Sequence, residues 1–181
     1  MISGIDHLSE GSVTIGGVSI HDLNESQASL WRGRNLGIVY QTFRLMPTLS
    51  LVDNIIFPID LCGAYNARIS YERAMDLLRS VELEDHAHKL PNAISGGQQQ
   101  RIAIARALAN DPPIIVADEP TGRLDSSTSE IVYQIFTRLA KQGKLIIMAT
   151  HDLSVVDQLT RQIELVDGVI TSDSRFPKGQ A

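Results

Sequence analysis

The sequence holds a single cysteine, Cys62, so no disulfide can form within the chain, and a reducing compartment suits it. Cys62 lies in an apolar run, Pro58-Ile59-Asp60-Leu61-Cys62, and reads as a small buried hydrophobe rather than a reactive thiol. No segment approaches the roughly 20 apolar residues that a helix needs to cross a bilayer. The first seven residues lack the basic start and apolar core of a secretory signal. Service to a membrane process would therefore run through a partner. Cations are outnumbered, 16 Lys and Arg against 21 Asp and Glu, for a formal charge of -5. That balance argues against a protein built to grip nucleic acid, which needs clustered basic side chains. Repeats and low-complexity tracts are also missing. What remains, 43% hydrophobic and 20% charged residues over 181 positions, is one ordinary globular domain, or one domain with a small subdomain.

Along the chain, Val13–Ile20 alternates around Gly16-Gly17 and predicts a hairpin. A short helix is expected from about Ser26 to Arg32, broken at Gly33, before a buried strand at Leu36–Tyr40. From Gln41 to about Asn92 the texture is helical: Leu51–Cys62 is apolar with an interrupting Pro58, and Ser70 is placed to cap a helix carrying Ala74, Leu77, Leu78 and Val81. A helix opens at Ser95 and runs to about Ala109, stopped by Asp111-Pro112-Pro113. Ile114–Ala117 predicts a strand covered on both faces. Ser127 and Glu130 form a capping box for a helix with Ile131, Ile135, Phe136 and Leu139 in its apolar stripe, ended by Gly143. Leu145–Ala149 predicts a second buried strand, and Gln162–Thr171 a closing hairpin with a type I′ signal at Asp167-Gly168. The alternation from Ile114 to Val166 predicts an α/β core with parallel strands. The expected organisation is a core of about 1–41 and 93–172, a helical subdomain of about 42–92, and a loose tail at 173–181.

Polar residues collect where the buried strands end: Gln41, Asp118-Glu119 and His151. In an open α/β sheet ligands sit beyond the carboxyl ends of the strands, so these endings read as one site. Asp118 suits magnesium, a hard cation that takes carboxylate and water ligands and shares the rest with phosphate. The adjacent Glu119 points elsewhere and can polarise an attacking water. Ser95-Gly96-Gly97 at a helix start can bind an anion, through free backbone N–H groups and close approach at glycine. His151 can donate a hydrogen bond to a terminal phosphate. His86 and His88, two residues apart, share no helical face and make a poor metal pair.

These residues closely resemble the ABC-type ATPases. Ile94-Ser95-Gly96-Gly97-Gln98 resembles the signature motif, with Ile for the usual Leu. Ile114–Asp118 resembles the Walker B strand, Glu119 the catalytic glutamate, Gln41 the Q-loop glutamine, Leu124-Asp125 the D-loop and His151 the H-loop histidine. Gln41–Ser50 and Asp118–Gly122 are similar to the lipoprotein-releasing and macrolide-export branch. The resemblance implies a P-loop NTPase-like, RecA-like core with a helical subdomain, and ATP and Mg2+ as cofactors. Gln41 and Asp118 would serve the metal, and Glu119, Gln41 and His151 the hydrolysis. It also implies a head-to-tail dimer with an identical or different ABC domain, in which Ser95, Gly96, Gly97, Gln98 and Asp125 face a shared nucleotide. An integral membrane transporter subunit would be the further partner, and the inner face of the cell membrane, on the cytoplasmic side, the location.

The pattern departs from the family in one respect. No G-x-x-x-x-G-K-[ST] sequence occurs in the 181 residues. The family places it upstream of the first hairpin, and Met1–Ile5 looks like the end of the helix that follows it. The resemblance then implies a chain without its first strands, phosphate loop and adenine-stacking aromatic, through a misassigned start or a truncated gene. Expressed alone, such a chain is expected to be unstable and not to bind ATP normally. Each unsatisfied buried backbone group costs about 1–3 kcal/mol, against a domain stability of roughly 5–15 kcal/mol. Two alternatives stand beside the transporter reading: a catalytically defective module lending its signature motif to an intact partner, and a non-transport relative acting on DNA or ribosomes.

Overall fold

The computed structural model describes Ile5 and residues 8–176; the expectation for Met1–Ile5 falls, Ile5 apart, outside these residues, as does the tail from 177. The chain divides into two compact units, one ending at Ala149 and one beginning at Thr150.

In the first unit, β1 (Thr14–Ile15) and β2 (Val18–Ser19) form the expected hairpin, with Gly16 and Gly17 both at positive φ, 58° and 82°, as a type I′ turn requires. The central sheet is parallel, in the order β3 (Leu36–Val39), β4 (Ile114–Asp118), β5 (Leu145–Ala149). Val39 lies opposite Ala117, and Asp118 opposite Ala149, so the three strands end along one edge of the sheet. This is why residues far apart in sequence can meet there. β3 and β4 are buried as expected. β5 is not: its ends are exposed and its middle half-buried, because only one of its edges is paired among the described residues.

The helices correct several local expectations. α1 (Glu25–Asn35) runs through Gly33. That glycine serves close approach, since a Cβ there would stand 2.5 Å from Cys62 Sγ. α2 (Leu51–Leu61) continues through Pro58, although proline removes one ladder hydrogen bond; burial of Leu51, Val52, Ile55 and Ile59 outweighs that loss. α3 (Ala67–Ser80) is capped by Asn66 rather than Ser70. Ser70 is buried within the helix and accepts a hydrogen bond from the Asn66 amide, 3.0 Å. α4 (Gly96–Ala107) starts at the Ser95 cap as predicted. α5 (Ser126–Lys141) is capped by Asp125, not Ser127, and Ile131 faces outward while Val132, Ile135, Phe136 and Leu139 form the buried stripe. Gly143, at φ 93°, follows its end.

One buried cluster joins the helical segment to the sheet: Leu51, Ile55 and Leu78 belong to it together with Ile102, Ile104, Ile115, Val132 and Phe136. The stretch 42–92 therefore has no core of its own. α4 lies at the centre of this cluster, with Ile102, Ala103, Ile104 and Ala105 fully buried.

In the second unit, β6 (Arg161–Val166) and β7 (Val169–Arg175) pair antiparallel around Asp167 and Gly168, both at positive φ. The expected parallel run thus stops at β5. A parallel crossover needs a dozen or more residues, usually an α-helix, and the link from Ala149 to Arg161 carries only a six-residue 3-10 segment, Leu153–Gln158. Ser172–Arg175 is strand, paired back to β6, rather than loose tail.

Candidate functional site

Gln41 emerges two residues beyond β3, and Asp118 ends β4 with its side chain exposed. Glu119 follows at φ 42°, a left-handed conformation that a β-carbon disfavours. Its amide donates to the Ala149 carbonyl, 2.9 Å, and its own carbonyl accepts from the Gly122 amide, 3.2 Å. A Cβ at Gly122 would stand 3.2 Å from Gln41 Nε2, so the glutamine amide lies against the turn that begins at Glu119. The fold thus brings Gln41 to the Asp118–Gly122 segment, as the strand endings predict. His151 is the second residue of the second unit, two residues beyond β5 in sequence, and is exposed.

The start of α4 is a full capping box: the Ser95 hydroxyl accepts from the Gln98 amide, 3.3 Å, and Gln98 Oε1 accepts from the Ser95 amide, 2.9 Å. Ser95 and Gln98 are therefore partly spent on the helix itself. Gly97 is required by packing: a Cβ there would fall 2.3 Å from Thr128 Cγ2 in the first turn of α5. Asp125 caps that turn. It accepts from the Thr128 amide at 3.0 Å, and from the hydroxyls of Ser127 and Thr128 at 2.5 and 2.7 Å. These bonds, the Ser127 hydroxyl first among them, hold its carboxyl well below the usual carboxylate range.

Two residues join the site that sequence reasoning missed. Gln100 is fully buried and donates from Nε2 to the Pro120 carbonyl at 2.6 Å, tying α4 to the residue after Glu119. Its Oε1 is buried without a hydrogen-bond partner. Arg106 donates to the backbone of the loop after Gln41 and is largely desolvated, which lowers its pKa; Tyr40 works the other way. Gln100 shares its helical face with the buried Ala103 and Ile104, the one clue available in sequence.

No cluster of three or more His, Cys, Asp or Glu forms a ready metal cage among the described residues. Magnesium does not require one: it takes one or two protein oxygens and completes its shell with water and phosphate. The Asp118 carboxylate and the Gln41 side-chain oxygen fit that donor set.

The ABC transporter family model matches residues 1–122. The chain is 41% identical over 177 residues to a lipoprotein-releasing system ATP-binding protein, LolD 1, of Chlorobium chlorochromatii, covering 97% of this chain and 72% of the relative. It is 42% identical to a macrolide export ATP-binding/permease protein, MacB, of Syntrophobacter fumaroxidans, covering 94% of this chain and 24% of that larger protein. The solved dimeric structure of the ATP-binding cassette MJ0796, in a post-hydrolysis state with ADP and Pi, superposes with a TM-score of 0.87 at 39% identity, over 96% of this chain and 77% of the other. Sheet order, the Asp118-Glu119 turn, the capped Ser95 helix and these likenesses agree: the chain belongs to the ABC transporter family, as an ATP-binding, energy-coupling domain of its ATPases.

Proposed function

We propose that this domain hydrolyses MgATP at the carboxyl edge of its parallel sheet, within an exporter of the lipoprotein-releasing or macrolide type. The observation that carries the reading is the meeting of Gln41 with the Asp118–Gly122 segment at adjacent strand ends. Asp118 and Gln41 hold the metal, which, when bound, draws charge from the phosphate oxygens. Glu119 orients and polarises the attacking water. His151 donates to the terminal phosphate. Ser95, Gly96, Gly97 and Gln98 face a nucleotide held by a second ABC domain, with Asp125 at the same junction. The dimeric cassette among the similar structures supports that arrangement. The membrane partner is an integral transporter subunit at the cytoplasmic face of the cell membrane. Among the described residues no helix is long and apolar enough to cross a membrane.

ATP turnover by the protein assembled with its membrane subunit tests this. Glu119→Gln should lower kcat by about 100-fold or more while nucleotide still binds, the scale on which a positioned base or water-orienting group acts. Unchanged turnover would refute it. The same assay separates the second reading, a module that lends Ser95–Gln98 to an intact partner. Loss of turnover on Ser95→Arg with none on Glu119→Gln would select that reading.

A further inference from the structure

The residues just after Gln41 are held by α4, while Asn54 of α2 holds the same loop further on, at Met46 and Leu49. Arg106, near the end of α4, donates from Nη2 to the Phe43 carbonyl at 2.9 Å and from Nη1 to the Arg44 carbonyl at 2.5 Å. Arg44 sits at φ 47°, in the left-handed region, and its guanidinium lies 4.3 Å from the centroid of the Tyr40 ring. At the other end of the same helix a Cβ on Gly96 would meet the Phe43 ring at 3.6 Å. A planar guanidinium holds its N–H donors in a fixed fork, and here two of them meet two successive carbonyls. Both ends of α4 therefore meet Phe43, and its far end also holds Arg44. A conformation that is unfavourable at Arg44 persists because its surroundings hold it.

We infer that Arg106 is a positioning residue, which clasps the Phe43 and Arg44 carbonyls so that Gln41 is presented to the Asp118–Gly122 segment in step with the signature helix. A shift of α4 at Ser95–Gly97 is then passed to Gln41 through Phe43 and Arg106, and to the residue after Glu119 through Gln100 and Pro120. The inference rests on the proposed role of Gln41, and its first test is independent of that role.

The Arg44–Leu45 bond is itself a trypsin site, and its carbonyl is one of the two that Arg106 holds. Limited trypsin digestion of the full-length protein, followed by mass spectrometry, reads the clasp directly. Arg106→Met should speed cleavage at Arg44–Leu45 by about 10-fold or more, as local opening becomes easier. Arg101→Met is the control: Arg101, on the same helix, donates to the Val81 carbonyl at 2.8 Å and pairs with Glu82. It should lower the melting temperature comparably and leave Arg44–Leu45 protected. Equal cleavage in the two variants would overturn the proposal. Arg106→Lys, which keeps the charge but loses the fixed fork, should cleave at an intermediate rate and serves where Arg106→Met does not fold. In the assembled transporter, Arg106→Lys should lower kcat about 10-fold with KM for ATP unchanged, and add nothing to the loss caused by Gln41→Ala. Additive losses would also overturn the clasp. If Gln41→Ala alone leaves turnover intact, the proposed role of Gln41 fails, while the digestion result stands or falls separately.

Discussion

β4 and β5 are neighbours of equal length and nearly equal composition, Ile-Ile-Val-Ala-Asp and Leu-Ile-Ile-Met-Ala, yet they live differently. Ile115 in β4 is fully buried, with β3 and β5 on either side. In β5 the first residue, Leu145, is 55% exposed and the middle only half-buried. β4 ends in a strained turn that aims chemistry; β5 ends by supplying the carbonyl that supports it, from Ala149 to the Glu119 amide. Local sequence predicts that both are buried strands. Position in the sheet decides which one is core and which one is edge.

The contrast can be broken first by volume. Ile115→Ala should cost about 2–5 kcal/mol, as a cavity opens where nothing can collapse into it. Ile147→Ala on β5 should cost less than half as much in the same urea titration. Equal losses would mean that the two strands are equally enclosed. Glu119→Gly should come next, and with the opposite sign. Relief of the left-handed backbone should raise stability by about 1 kcal/mol, seen as a higher melting temperature, while the carboxylate and its turnover are lost. Leu145→Ala should move stability by no more than about 0.5 kcal/mol. The smallest effect concerns α5, the helix that connects the two strands. Asp125 at its cap has a depressed pKa, so it supports the fold fully above the ordinary carboxylate value of 3.8. That support is lost as pH falls below 3.8 toward the lower folded value. An NMR titration of the Asp125 carboxyl should show it still ionised at pH 3, whereas titration at the ordinary value would remove the hydroxyl bonds from the account.

Much of the site was legible because it is written where elements change. Ser95 caps α4 where the sequence predicts that the helix opens, and Gln98 completes a capping box there. Asp118-Glu119 follows four apolar residues, and Gln41 follows another such run, so both strand endings show in the pattern. Gly33, Pro58, Ser70 and Ser127 misled for one reason. Each is a local signal, and burial or a better cap nearby outweighs it: Asn66 and Asp125 do the capping, the core holds α2 straight through Pro58, and Cys62 demands a glycine across from it. Arg106 and Gln100 were illegible because their partners are carbonyls, and every residue has a carbonyl.

By itself the sequence determined the family chemistry, the strand endings that carry it and the helix that begins at Ser95. These depend on residue types at short fixed spacings, which survive without knowledge of the fold. Tertiary structure alone decided that β5 has only one paired edge among the described residues, and that Arg106 and Gln100 tie α4 to the two loops of the site. Those facts depend on which backbone groups come within hydrogen-bond reach across 20 to 63 residues of chain. Only the packed core fixes such distances.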